Sequence, residues 1–310
     1  MRRDSVSRIS LADQKKAIDS ASLVYHKHIL IWGPPRSGKT HIIATAAKSP
    51  HIDNIYWFDL EKGLETVLYA RTISGEPLLT PEEMAKIIPF QIPDSSETPY
   101  AAETILRTFR PGNSSPKIDQ STGRVSTSSS AVPFNLKACG DRDLVVIDSL
   151  SQLGDSILAV SLNANTYKDL RKYYGDFTLD MIPILTAIQA AQTNIICATH
   201  TISKIKMYSN PITKQQEEKI LGTYPLCGSR NFSEGRVAKH FNYLLYPYTQ
   251  GTNYKVTEKI GVVPKVEQVG CRRHVSLVDE QDQPTLVNIF NPKAEEVTVQ
   301  QSSGPAVKLS

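Results

Sequence analysis

Short apolar runs alternate with stretches whose apolar residues return every three or four positions, from residue 28 to about residue 200. The first run, at 28–32, is too short for a helix and is bounded by polar residues, so it predicts a buried strand. A helix follows to about residue 48. The same alternation predicts strands at 54–60, 87–92, 144–147 and 195–199. Helices fall between them, near 64–72, from Pro81, over about 99–109 and in long stretches up to about 192. Pro81 suits the first turn of a helix, where its missing N–H costs nothing. Strands and helices alternating at this spacing predict an α/β fold, a mainly parallel central sheet with helices on both faces.

Elsewhere the pattern changes. Beyond residue 240 it turns to β, at 243–246, 255–263, 266–269 and 286–290, which predicts antiparallel strands added near the C-terminus along one sheet edge. Residues 1–27 are a polar lead-in with one short helical stretch at 11–21. From 110 to 141 the chain becomes rich in Ser, Thr, Pro and Gly, predicting a flexible insertion outside the core. Residues 293–310 read as a disordered tail. The expected division is a lead-in at 1–27, a core at 28–292 and the tail, with no internal repeat.

At 310 residues the chain can bury one large core. A net charge of +4 and a pI near 8.7 permit nucleic-acid binding without demanding it. The four cysteines, Cys139, Cys197, Cys227 and Cys271, lie far apart with no C-x-x-C pair, which suggests neither a zinc site nor a disulfide framework. A reduced, cytoplasmic setting is expected. Arg2, Arg3 and Arg8 precede no apolar segment, and no long apolar stretch exists, so neither secretion nor a membrane span is expected.

The loop after the first strand reads Gly33, Pro34, Pro35, Arg36, Ser37, Gly38, Lys39, Thr40, the pattern of a Walker A phosphate loop. Glycines at both ends let the backbone wrap a phosphate more closely than a Cβ would allow. The loop N–H groups then point inward, where the dipole of the following helix also favours negative charge. Lys39 is expected to reach the β- and γ-phosphates of ATP and Thr40 to ligate Mg²⁺.

Leu144, Val145, Val146, Ile147 and Asp148 have the Walker B form, in which an apolar strand delivers a carboxylate to the sheet edge where ligands bind. Asp148 is expected to hold Mg²⁺ through water, alongside Thr40. Hydrolysis needs a further group to orient or deprotonate water, and Glu61, just past the second strand, is placed to face the γ-phosphate. Position alone leaves open a surface carboxylate pairing with Lys62. His200, just past the strand at 195–199, is a candidate contact to the γ-phosphate or a histidine that merely ends a strand.

The order of Walker A loop, strand ending Phe58-Asp59-Leu60-Glu61, strand ending Ile147-Asp148-Ser149 and a polar residue after the next strand resembles the core of RecA-like P-loop ATPases. The resemblance implies that Glu61 is the catalytic glutamate, acting with Lys39, and that His200 is a switch coupling nucleotide to DNA, although RecA itself carries glutamine there. Ser149 matches the family's Asp-Ser pair. The segment from Gly235 to Phe241 resembles one that carries a lysine reaching a neighbouring subunit's ATP; Lys239 is the best match, with Arg230 and Arg236 as rivals. With so short an N-terminus, the chain is most similar to compact phage-encoded RecA/RadA-like proteins linked to single-strand annealing and recombination. The implied cofactors are ATP and Mg²⁺, and the implied partners are single-stranded DNA and further copies of the chain in a filament or ring.

That family places DNA-binding loops after the Walker B strand and after the sensor strand. The first interval interleaves Lys168, Arg171 and Lys172 with Tyr167, Tyr173 and Tyr174, a mixture that grips phosphates and stacks bases. Alternatively, this is a helix whose tyrosines pack on the core while the cations snorkel. The second, 203–234, contains Lys204, Lys206, Lys214, Lys219 and Tyr208 with few strand or helix signals and predicts a mobile polar loop. Other classes share the phosphate loop. They are a ring-forming helicase or packaging motor, a non-catalytic ATP-gated assembly protein, and a small-molecule or nucleotide kinase. Kinase lids usually carry several arginines, whereas the insertion brings only Arg110, Arg124 and the late Arg142.

Overall fold

The computed structural model describes residues 26–291 apart from 73, 93, 96, 110–116, 123, 127–130, 165–169, 210–215, 251–252, 267 and 272–274. The expected helix at 11–21, the tail at 293–310, Tyr167, Lys168 and Lys214 lie outside these residues, as does the side chain of Arg171. In chain order the elements are β1 (His28–Trp32), α1 (Lys39–Ala44) continued by a 3-10 turn (Thr45–Lys48), β2 (Asn54–Asp59), α2 (Glu65–Tyr69), α3 (Pro81–Met84), β3 (Ile87–Gln91) and α4 (Tyr100–Phe109). Then come β4 (Lys117–Ile118), β5 (Val132–Pro133), β6 (Asp143–Asp148), α5 (Leu150–Ala164), α6 (Leu170–Ala190) and β7 (Asn194–Thr199). The last part contains β8 (Thr201–Ser209), β9 (Gln216–Pro225), α7 (Arg230–Ser233), β10 (Tyr243–Gln250), β11 (Asn253–Thr257) and β12 (Gly270–Cys271).

The main sheet runs β11-β10-β1-β7-β6-β2-β3. Its central strands are parallel and covered on both faces, which is why they read as unbroken apolar runs. Because side chains alternate across a strand, Leu30, Trp32, Phe58 and Phe90 face one core with α4, α5 and α6. Ile29, Ile31 and Trp57 face the other with α1 and its 3-10 turn. The predicted α/β class, with helices on both faces, is the observed one. Thr80 and Glu83 close a reciprocal capping box around Pro81, so α3 starts at that proline. Among the described residues no helix is long and apolar enough to cross a membrane.

Four expectations are corrected. The run from 243 pairs parallel with β1, through Ile29↔Tyr243 and Ile31↔Leu245; among the described residues only β11 and β12 add antiparallel to β10, the strand expected at 255–263 stops at Thr257, and Val266 makes an isolated bridge instead of starting a strand. An apolar run carries no signal of direction. The run at 286–290 is a 3-10 turn, Val287–Phe290, rather than a strand. The Leu286 N–H that precedes it donates to Thr45 Oγ1 at 2.9 Å, and Leu286, Ile289 and Phe290 share a core with the Walker A helix and the 3-10 turn that continues it. The segment 110–141 is partly core, because Ile118, Ala131 and Phe134 are buried and the Phe134 ring meets Tyr56, Phe58 and Phe90. A few apolar residues suffice to anchor an otherwise polar stretch. Finally, the expected loop at 203–234 is largely the antiparallel β8–β9 hairpin followed by α7. Both of its faces are polar or mixed, so no alternation announced it.

Candidate active site

Strand β1 delivers the phosphate loop to the C-terminal edge of the sheet, where Gly33 N–H donates to Thr199 O at 3.2 Å. Gly38 caps α1 at φ +84, a conformation that resists any other residue, and an added Cβ would lie 3.3 Å from the Tyr254 ring. Lys39 is buried, with Nζ donating to the carbonyls of Gly33 at 3.1 Å and Pro34 at 2.9 Å. Burial lowers its pKa, opposed by the nearby charges of Asp148 and Glu61. Ser37 Oγ is buried and, among the described residues, has no hydrogen-bond partner. A donor left unpaired inside a phosphate loop is a group that an anionic ligand would satisfy.

Thr40 Oγ1 donates to Asp148 Oδ2 at 3.0 Å, so the last loop residue and the end of β6 meet. Burial pushes the Asp148 carboxyl up to about 7; the Thr40 hydrogen bond opposes this, while the neighbouring Glu61 and Asp59 reinforce it. This pair fits Mg²⁺ as nucleotide enzymes use it, with one or two protein ligands and the rest from phosphate and water. Among the described residues no cluster of three acidic, histidine or cysteine side chains forms a separate metal cage. Asp148 and Glu61 both act on the buried Lys39, so two carboxylates face one cation there.

Glu61 is exposed, yet its carboxylate is held by partners on the sheet edge. Its Oε1 accepts from Ser149 Oγ, and its Oε2 lies 3.1 Å from His200 Nε2. His200 Nδ1 lies 3.4 Å from Lys39 Nζ. Lys39 and Glu61 thus flank the two ring nitrogens of His200. Burial raises the Glu61 pKa, but the hydrogen bonds from His200 and Ser149 and the charges around it outweigh that, and the net shift is downward. Glu61 is therefore an anion at neutral pH, suited to orient or deprotonate a water.

His200 is also where the sheet ends and the β8–β9 hairpin begins. Its N–H donates to Ser151 Oγ at 2.8 Å, and its carbonyl accepts from Leu226 N–H at 2.8 Å. Ser151 Oγ lies 2.8 Å from Thr199 Oγ1, which itself donates to Leu226 O. Both ends of the hairpin are thus tied to the strand end that carries His200. Sequence reading missed this clamp, because one serine and one threonine give no signal until the strands are in register.

The phosphate loop opens into a cavity of about 1010 Å³ reached by Lys39, Thr40, Glu61, Asp148, His200 and Tyr254. Its outer walls are the 71–78 loop and the 279–285 turn, and neither was singled out in the sequence. Lys239, Arg230 and Arg236 are exposed but do not line this cavity. Arg124 stacks over the Tyr100 ring at 4.1 Å, away from any role as a phosphate clamp. Of the first nucleic-acid interval, Tyr173 is buried while Lys172 and Tyr174 are exposed. Lys204 is held by Glu234 at the hairpin base. Lys206 and Lys219 face each other nearer the tip, 5.1 and 5.6 Å from the Tyr208 ring centroid.

No curated protein matches the sequence. The AAA domain profile matches residues 26–224, which spans β1 through most of the hairpin. A match over more than half of the chain shows the family, and this protein belongs to the AAA domain family as an ATP-binding, ATP-hydrolysing P-loop NTPase.

Proposed function

We propose that this domain is a RecA-like, Mg²⁺-dependent ATPase acting on single-stranded DNA in recombination, annealing or repair. One observation carries the reading: His200 lies between Lys39 and Glu61 and is the last residue before a clamped, exposed hairpin. In this reading residues 33–40 cradle the phosphates, and Thr40 and Asp148 would hold Mg²⁺, the latter through water. The ion would neutralise charge on the β- and γ-phosphates. Lys39 contacts the γ-phosphate, Glu61 orients the attacking water, and His200 reports the phosphate's presence to the hairpin.

The hairpin supports a polyanionic partner. Lys206 and Lys219 form a directly opposed like-charge pair, which destabilises a bare sheet and is relieved by a phosphate backbone. Tyr208 beside them offers a ring for base stacking. The domain is read as the core at 28–292, and oligomerisation would place Lys239, Arg230 or Arg236 against a neighbour's nucleotide.

The test is the rate of ATP hydrolysis with and without single-stranded DNA across a salt titration, with Lys39→Ala as control. DNA should raise the rate, the increment should fall steeply with salt, and Lys39→Ala should abolish turnover. Turnover indifferent to DNA at low salt would sink the reading, and closed rings in electron micrographs without DNA would favour a motor.

A further inference from the structure

We propose that Asp59 is the positioning residue for Glu61, its buried carboxylate fixing the 60–64 turn that carries Glu61 over the Thr40–Asp148 pair. The proposal rests on the catalytic role of Glu61 put forward above.

Asp59 ends β2, and its backbone is pinned on both sides. Leu60 N–H donates to Asp148 O at 2.7 Å and Ile92 N–H to Asp59 O at 3.0 Å. The chain must then reverse within a few residues. Asp59 Oδ1 accepts the N–H of Gly63 at 2.8 Å and Oδ2 accepts that of Leu64 at 3.1 Å, so one side chain closes the turn. Lys62 within it adopts φ +57, a left-handed conformation that a non-glycine residue holds only when its surroundings impose it. The same turn presses Gly63 so close to the metal pair that an added Cβ would lie 3.2 Å from Thr40 Oγ1 and 3.3 Å from Asp148 Oδ2.

The choice of residue is informative. Asp59 is 1% exposed and its carboxylate is held by backbone N–H groups, so its burial is costly. Burial raises its pKa, against the pull of the backbone N–H groups. Asn would fill the same space without that cost, but it offers one acceptor oxygen where two backbone donors converge. Two acceptors on one rigid side chain fix both the closure of the turn and its rotation, and thereby the distance from Glu61 to the phosphate loop.

The experiment compares steady-state and single-turnover ATP hydrolysis by the wild-type chain, Asp59→Asn, Glu61→Gln and the double variant, across Mg²⁺ concentration. A displacement of about 1 Å at a reacting group costs up to about 100-fold. Asp59→Asn should therefore lower kcat by about 10- to 100-fold, with KM for ATP and the Mg²⁺ midpoint within about twofold. Because Asp59 acts through Glu61, the double variant should be no slower than Glu61→Gln alone. Losses that multiply in the double variant, a shifted Mg²⁺ midpoint, or unchanged kcat would overturn the proposal while leaving Glu61 in place. Full turnover by Glu61→Gln would overturn both. If Asp59→Asn does not fold, Asp59→Glu keeps the charge and both oxygens but displaces the turn, and the same split between kcat and KM applies.

Discussion

At the scale of single residues, Asp148 ties the nucleotide pocket to pH. Its carboxyl is pushed up to about 7 by burial, well above the value of an unfolded aspartate. Between about pH 4 and pH 7 the folded chain therefore holds a proton that the unfolded chain has lost. This contribution to stability is complete below the unfolded value and disappears as pH rises through the folded one. Without nucleotide and metal, the thermal midpoint should be lower at pH 8 than at pH 5, and Asp148→Asn should flatten that difference. A midpoint whose pH dependence is the same in Asp148→Asn as in the wild type would contradict this origin. Mg²⁺ with ATP should reverse the trend, since the ion requires the ionised carboxylate.

At the scale of elements, the β8–β9 hairpin separates what was legible from what was not. Strands β1, β2, β6 and β7 were readable because burial on both faces demands unbroken apolar residues. The hairpin's partners along Lys206↔Lys219 and Tyr208↔Glu217 satisfy each other's backbones without any buried face, so periodicity was silent. Within the site, the phosphate loop and Asp148 were legible because their chemistry is local in sequence. Ser151, Tyr254 and the turn-closing contacts of Asp59 depend on how the chain packs in three dimensions, and no spacing rule reports that. If the hairpin binds single-stranded DNA, Lys206→Ala and Lys219→Ala should each lower the salt slope by about 0.7. Tyr208→Ala should weaken binding by about 1–3 kcal/mol. Turnover without DNA should stay within about twofold in all of them, as none reaches the nucleotide cavity. Affinities and slopes by fluorescence anisotropy check this, and unchanged values would move the DNA site elsewhere.

At the scale of the whole molecule, residues beyond the family match complete the pocket. Tyr254 lies against Gly38, and Leu286 is fully buried beside the Walker A helix with its N–H on Thr45. Leu286→Ala should cost about 2–5 kcal/mol in urea unfolding, as a core truncation does. A loss below about 1 kcal/mol would show that the 277–290 segment is dispensable to the core. Strand β1 lies between β7 and β10, and the contacts that flank it reach across 167 and 214 positions of chain. On the ribosome, the strand that leads into the phosphate loop emerges among the first of the core and waits for both neighbours. Closing such distant pairs is slow. Until they arrive, a largely apolar strand stands unpartnered and prone to aggregation, and ATP has no finished pocket with which to protect the nascent chain.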